Sequence, residues 1–214
     1  MKTFYRLFFI AGVTALCSCA PSQKNTEADS SSSKDVNQVV ETIMSRRSIR
    51  KYKQQSVEKE KLQQILDCGI NAPNGMNRQS WEVRVVNTPE FISELDSVNL
   101  KIAEKNGKDV SKIGSAAYGA PVLIFIANDK EYDLSQVDCG LLGANIILSA
   151  ESLGLGSCCL GGIVRTMRLP EASSLLERLE LPENYNLLYA IALGYPDETP
   201  KAKPRKTEKV KYVD

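Results

Sequence analysis

Three arginines and a serine lie within five residues, in the order Arg46-Arg47-Ser48-Ile49-Arg50. Guanidinium and hydroxyl groups are donors suited to a phosphate dianion, which several charge-assisted hydrogen bonds hold best. The apolar residues before this cluster recur at helical spacing, so the arginines follow the carboxyl end of a helix. That end repels anions, and a phosphate bound there needs several cationic side chains. A solvated basic helix end is the competing interpretation of the same run.

A second basic segment lies near the carboxyl terminus and reads Lys201-Ala202-Lys203-Pro204-Arg205-Lys206. Its Lys203 and Arg205 can complete a phosphate cage begun by the first cluster. The competing interpretation is a solvated tail, since termini rich in lysine and proline are usually of that kind.

Four segments in order resemble the nitroreductase family of FMN-dependent flavoenzymes, and the resemblance runs from about residue 36 to 205. The first is the arginine cluster, where Arg46, Arg47, Ser48 and Arg50 fall in the element that holds the FMN phosphate and ribityl chain. The second is the segment Ala-Pro-Asn-Gly-Met-Asn-Arg-Gln-Ser-Trp at residues 72–81, similar to a family loop that reaches the flavin of the partner subunit. The residues carried over from that loop are Pro73, Asn74, Gly75, Asn77 and Gln79.

The two remaining segments complete the resemblance. Residues 154–162 are similar to the stretch where the family places backbone amides beside the isoalloxazine ring, which points to Gly161 and Gly162. Lys203 and Arg205 resemble the closing phosphate ligands of the family. Three positions depart from the pattern: Asn74 stands where serine is frequent, Ser80 where proline is usual, and Cys159 where tryptophan is frequent. The last change alters the wall of the flavin pocket and leaves substrate choice open.

The resemblance implies an α+β fold, a three-layer α/β/α sandwich with a mixed central sheet, assembled as a homodimer. It also implies FMN as the cofactor and a two-electron ping-pong reduction of an electron-poor small molecule, such as a nitroaromatic or a quinone. Family members take electrons from NADH or NADPH. The chemistry belongs to the flavin, so no side chain is needed as a nucleophile or catalytic base. The chain has no histidine, and it can still be an enzyme of this kind.

The overall composition excludes two classes of function. The 27 basic and 26 acidic side chains nearly cancel, so a general nucleic-acid-binding surface is not supported. There is no metal-ligand spacing of cysteines and no histidine, which argues against a zinc site or any other metal site. The vicinal pair Cys158-Cys159 is read as part of a packed strand beside the flavin, with a redox role as the alternative.

The amino-terminal residues are typical of an export signal. A weakly basic start precedes an apolar run over residues 7–16, of signal-peptide length and too short to span a bilayer. The following residues resemble a bacterial lipobox that ends in Cys19, the predicted acylated cysteine. Cleavage without lipidation is the alternative. The predicted organisation is a signal peptide at 1–18, a flexible tether rich in serine and other polar residues at 19–34, and the FMN domain at 35–214.

These features predict a protein of the bacterial cell envelope, held at a membrane only through its lipid anchor, on the periplasmic or surface face. An exported protein meets little NADH or NADPH, so the electron donor stays open. Two alternatives to turnover of the nitroreductase type follow. One is a membrane-tethered flavin-binding or electron-carrier protein with no turnover of its own. The other is a flavin-cleaving or dehalogenating relative.

Hydrophobic periodicity predicts the elements that position these segments. Helices are expected from Ser56 to about Gly69, from Pro89 to about Lys105, and over a short stretch beginning at Pro170. Strands are expected at 83–86, 121–127 and 187–193. The longest helical pattern, at 133–153, is apolar over a wide part of its circumference and predicts burial on more than one side. Residues 107–119 are expected to form a loop or lid.

Overall fold

The computed structural model describes residues 37–213, and the predicted signal peptide, the tether and Cys19 lie outside that range. The described helices are α1 Gln38–Ser45, α2 Lys59–Ile70, α3 Pro89–Lys105, α4 Ser135–Ser152, α5 Gly162–Met167 and α6 Ser173–Glu177. The strands are β1 Trp81–Val86, β2 Val122–Asp129, β3 Gly156–Leu160 and β4 Tyr185–Gly194. Short 3-10 turns occur at Gly75–Asn77, Val110–Lys112, Pro170–Ala172 and Thr207–Lys209.

The four strands form one sheet in the order β1-β2-β4-β3. All three pairings between them are antiparallel, so the prediction of a mixed sheet is wrong for these strands. A single parallel bridge joins Ser48 to Ser157 at the β3 edge. The order also puts β1 and β3 at opposite edges of the sheet. Pairing direction depends on tertiary contacts that a strand pattern does not encode.

Helices cover both faces of the sheet, which confirms the predicted α/β/α layering. On one face α2 and α4 pack against alternate residues of the central strands, with Ile65, Leu142 and Ile146 fully enclosed. On the other face α3, α5 and α6 supply a second core that includes Leu95 and Leu175. The continuous apolar run of β2 is buried from Val122 to Asn128 because both its faces are covered.

Most predicted helices are present with shifted ends. The helix expected to begin at Ser56 begins at Lys59, after Glu58, whose carboxylate accepts a hydrogen bond from the Tyr195 hydroxyl at 2.7 Å. The helix from Pro89 to Lys105 has its predicted bounds. The segment after Pro170 is a 3-10 turn followed by α6, and α5 was not predicted because its six residues are too few to show a period.

Two helices carry apolar side chains that nothing in the described chain covers. On α1, Val39, Val40, Ile43 and Met44 are half or more exposed. On α4, Val137 is 56% and Leu141 39% exposed, while Leu142 and Ile146 on the opposite side of that helix are enclosed. The predicted breadth of the α4 apolar surface is therefore real, and part of it faces outward.

The chain leaves the domain after β4 as an extended arm. Residues 200–206 form no helix or strand, and the arm ends on Val210, Tyr212 and Val213, of which Tyr212 is 95% exposed. Among residues 37–213 no helix is long and apolar enough to cross a membrane.

Candidate functional site

The arginine cluster lies on an extended stretch that begins where α1 ends. Arg46 is the residue that caps α1, and from there successive side chains point to opposite sides of the backbone. Ile49 is buried, which puts its neighbours Ser48 and Arg50 on the outward side of the chain. Arg46 follows the same alternation, so three of the four predicted phosphate-binding residues share one side.

Arg47 points the other way. Its Nη1 donates to the carbonyl oxygens of Met44 at 2.7 Å and of Arg46 at 2.8 Å. These bonds satisfy carbonyls at the carboxyl end of α1 and place a cation at the negative end of its dipole. The basic helix end considered as an alternative for the whole cluster therefore describes Arg47.

Strand β3 holds this stretch in place. The Ile49 backbone N–H donates to the Ser157 carbonyl at 3.0 Å, and Ser48 bridges Ser157 in parallel. Gly156 permits the approach, because a Cβ built at that position would stand 2.7 Å from Ile49 Cγ1. The arginine cluster and the 154–162 segment, which are more than a hundred residues apart in sequence, thus meet at the β3 edge of the sheet.

The two vicinal cysteines of β3 have different surroundings. Cys158 is buried, and burial raises the pKa of its thiol, while Arg50, a hydrogen bond from Ser48 and Arg46 act against that rise. Cys159 is exposed as a residue. Its sulfur is nevertheless partly desolvated, and this desolvation raises the pKa of the Cys159 thiol as well. Neighbouring residues of a strand point to opposite faces, so the two thiols are not poised to pair. This geometry supports the packed-strand interpretation of the pair.

Gly161 and Gly162 follow β3 at the start of α5, and both are exposed. Nothing lies within 4 Å of the position that a Cβ would occupy on either residue. The backbone is unobstructed on the Cβ side of both glycines, as expected of a segment that lies against a flat ring. Two residues of chain separate Gly161 from Cys158, so the Cα atoms of these two residues lie within about 11 Å of each other.

Arg50 has neighbours that the sequence did not indicate. Its guanidinium carbon lies 5.9 Å from the centre of the Tyr118 ring, a cation–π distance. Its backbone N–H donates to the Glu198 carboxylate. Tyr118 lies in the predicted 107–119 loop and adopts a φ of 57°, which is uncommon for a residue with a side chain. The end of the loop therefore borders Arg50, and its role as a lid stays a prediction.

The second predicted binding segment forms a tight loop, which we call the 74–80 loop. Asn74 closes it, because its Oδ1 accepts the Gln79 backbone N–H at 2.9 Å. Pro73, Asn77 and Gln79 are exposed, and Gly75 is half-buried. The loop lies against the first turn of α4, where Asp138 accepts the Gly75 N–H at 3.0 Å.

The arginine cluster and the 74–80 loop lie at opposite ends of α4 in one chain. Ser45, next to the cluster, donates to Glu151 near the end of that helix at 3.1 Å, whereas the loop contacts Asp138. The thirteen residues between them correspond to about 20 Å of helix. The loop leads into β1 and the cluster pairs with β3, so the two also lie at opposite edges of the sheet. One chain therefore does not bring them together.

Lys203 and Arg205 lie on the extended carboxyl-terminal arm and are exposed. Within residues 37–213, no hydrogen bond or ion pair joins either side chain to the arginine cluster. Their proposed part in a phosphate cage stays a prediction. The same range contains no cluster of three or more histidine, cysteine, aspartate or glutamate side chains that can hold a metal ion.

Comparison with known proteins identifies the class. The model of the nitroreductase family matches residues 43–195, which is more than half of the sequence. The chain belongs to the nitroreductase family. The match begins on α1 and ends just beyond β4, so it contains the arginine cluster, the 74–80 loop and the 154–162 segment.

Particular relatives agree with that class. The NADPH-flavin oxidoreductase of Vibrio harveyi is 29% identical over 188 residues, covering 79% of this chain and 70% of that protein. A solved nitroreductase with bound FMN from Bacteroides fragilis is 30% identical, with a TM-score of 0.74 over 84% of this chain and 100% of that one. A second nitroreductase with bound FMN, from Desulfitobacterium hafniense, is also 30% identical, with a TM-score of 0.75 over 84% of this chain and 100% of that one.

Proposed function

We propose that this protein is an FMN-dependent oxidoreductase that reduces an electron-poor small molecule at the expense of NAD(P)H or another donor. The observation that carries the proposal is that the extended stretch with Arg46, Ser48 and Arg50 on one side pairs with β3, the strand that leads directly into the open backbone of Gly161 and Gly162. Cations with a hydroxyl suit a terminal phosphate, and an unobstructed amide stretch suits a planar ring. This donor set fits FMN.

The relatives support the same cofactor and reaction class. The two solved nitroreductases contain FMN, and the Vibrio harveyi relative is an NADPH-flavin oxidoreductase. A relative from Bacillus subtilis, 28% identical over 187 residues, is an FMN reductase that uses NADPH. Electron transfer from a nicotinamide nucleotide to an acceptor, in two half-reactions, is the scheme that we assign to this chain.

Bound FMN supplies the two-electron chemistry, and the residues of the chain supply binding, orientation and charge. Arg46 and Ser48 would hold the phosphate. Arg50, which lies against the Tyr118 ring and whose backbone N–H donates to Glu198, would supply a fixed cation that favours negative charge on the flavin. The amides of Gly161 and Gly162 would be hydrogen-bond donors to it. Cys159, exposed next to them, forms part of the wall that selects the acceptor.

A complete site requires two copies of the chain, and we propose a homodimer. Three observations support it. The 74–80 loop lies about 20 Å from the arginine cluster of its own chain. The exposed apolar side chains of α1 and α4 need a cover, since large apolar patches on a soluble domain mark interaction sites. The carboxyl-terminal arm carries Lys203, Arg205 and its own exposed apolar residues away from the domain, toward a surface that a second copy can provide.

The function is tested by releasing the cofactor and by measuring turnover. The protein should purify yellow, and the flavin released by heat should elute as FMN, because the basic residues provide for one terminal phosphate. Steady-state oxidation of NADH and NADPH should then be faster with a nitroaromatic or quinone than without. A colourless protein that FMN does not reconstitute, or release of FAD, contradicts the proposal. Bound FMN with no turnover from either nucleotide favours the electron-carrier alternative instead.

We also propose that acylation of Cys19 holds the protein at a membrane of the bacterial envelope. The proposal rests on the lipobox-like sequence before Cys19 and on the polar tether after it. Cys19→Ala should move the protein from the membrane fraction to the soluble fraction or leave it unprocessed, because the acyl acceptor is lost. Cys17→Ala is the matched control and should leave the distribution unchanged. Membrane association of the Cys19 variant that survives an alkaline wash would contradict the proposal.

A further inference from the structure

The 74–80 loop has a backbone conformation that must be held by its surroundings. Met76, Asn77 and Gln79 have φ values of 52°, 52° and 49°, although none of them is glycine. Residues with side chains rarely adopt this region, and they persist there only where neighbouring structure fixes them. Such a loop keeps Asn77 and Gln79 in a binding geometry only as long as its anchor holds.

Both ends of the loop are fixed by one buried carboxylate. Asp138, which is only 2% exposed, accepts the Gly75 N–H with Oδ1 at 3.0 Å and the Ser80 hydroxyl with Oδ2 at 2.7 Å. Ser135, on the same turn of α4, donates its hydroxyl to the Ser80 carbonyl. Arg78 adds a contact from the loop, with its guanidinium 4.5 Å from the Tyr132 ring centre.

The Asp138 side chain accepts its hydrogen bonds from the 74–80 loop. No ion pair reaches Asp138 within residues 37–213, and its charge is balanced by the two donors of the loop and by the amino-terminal end of α4. A buried charge without an ion pair usually costs stability relative to an apolar residue of similar size. The donor at Ser80 stands where the resembled family pattern has a proline, which has no hydroxyl to offer.

We propose that Asp138 is a positioning residue that holds the 74–80 loop in the conformation required to contact the flavin. The inference rests on the proposed function of this site. Asp138 lies about 20 Å along α4 from the arginine cluster of its own chain, so it acts on the flavin bound by the partner. Two hydrogen bonds that one buried carboxylate accepts fix both loop ends, and loss of both frees Asn77 and Gln79 to leave their strained conformation.

The test compares two substitutions in the full-length protein, stripped of flavin and titrated with FMN by quenching of flavin fluorescence. Asp138→Leu keeps the branched side-chain shape, with two larger methyl groups in place of the oxygens, and removes both acceptors, so it should weaken FMN binding by about 30-fold or more. Asp138→Asn retains an oxygen that can accept the Gly75 N–H. It also keeps a polar group facing Ser80, and the Ser80 hydroxyl can accept as well as donate a hydrogen bond. This variant should stay within about threefold of the wild type.

A control variant in the helical layer on the other face of the sheet distinguishes an effect on the 74–80 loop from a general loss of stability. Leu175→Val shortens a fully buried side chain in the core that α3, α5 and α6 form, on the face of the sheet away from α4. It should lower the apo-protein melting temperature while leaving FMN affinity within about twofold. If Asp138→Leu does not fold, Ser80→Ala removes one of the two bonds and should weaken FMN binding by about five- to tenfold.

The outcomes separate the two claims. A wild-type protein that binds no FMN refutes the proposed function. A wild-type protein that binds FMN, with Asp138→Leu or its replacement Ser80→Ala binding as tightly, overturns the role of Asp138. An equal loss of FMN affinity in Leu175→Val at matched apo stability also overturns it, because the effect would then be one of stability alone.

Discussion

Arg46→Glu is expected to give a folded protein that retains no FMN. The substitution removes a charge-assisted hydrogen bond to the phosphate and places an anion beside it, a combined change of about 3–4 kcal/mol or more. FMN affinity should therefore fall by at least about 100-fold. The measurement is the ratio of flavin absorbance to protein after purification, followed by titration of the apo-protein with FMN.

Arg47→Glu is the matched control, since it makes the same change of charge one residue further along. The Arg47 guanidinium bonds to carbonyls at the end of α1, so this variant should lose some helix stability and keep most of its FMN. If both variants lose FMN to the same extent, the general positive charge of the segment is what matters. The assignment of Arg46 and Arg47 to opposite sides of the chain is then wrong.

Leu141→Glu is expected to convert the proposed dimer to monomers and, with that, to abolish flavin binding. Leu141 is 39% exposed on the outward side of α4, next to Val137, and burying an unpaired carboxylate in an apolar interface is costly. The dimer dissociation constant should rise by at least about 100-fold, as measured by light scattering coupled to size-exclusion chromatography.

The control for this variant is Leu100→Glu. Leu100 is 37% exposed, an almost equal fraction, and lies on α3 in the layer on the other side of the sheet. The same substitution there should leave both assembly and flavin content unchanged. A Leu141 variant that remains dimeric would exclude the outward side of α4 from the interface.

The sequence predicted those parts of the site that lie within short stretches. Arg46, Ser48 and Arg50 are predicted because three arginines and a serine, which suit a phosphate, stand together, and the 74–80 loop is predicted because its residue order resembles a family pattern. Arg47 was not separated from its neighbours. Its different role depends on the extended backbone after α1, which alternates side chains between two sides.

Other parts depend on contacts that no local pattern contains. Asp138 is more than fifty residues from the loop that it anchors. In the sequence it is a single polar residue within a largely apolar helix, and that pattern does not indicate its partners. Tyr118 and Glu198 reach Arg50 through tertiary packing. The antiparallel pairing of the sheet was missed for the same reason, since a strand's own residues do not specify the direction of its partner.

The central claim is that each flavin is bound by the arginine cluster of one chain and the 74–80 loop of the other. It is tested most directly by the FMN content of a mixed dimer in which one chain carries Arg46→Glu and the other Asn77→Asp, purified through two different affinity tags. Each variant alone should form a dimer without FMN. In the mixed dimer both substitutions fall in the same pocket, so the other pocket is intact and one FMN per dimer should be bound. A mixed dimer with no FMN would show that each site is built within a single chain, and the account would be wrong.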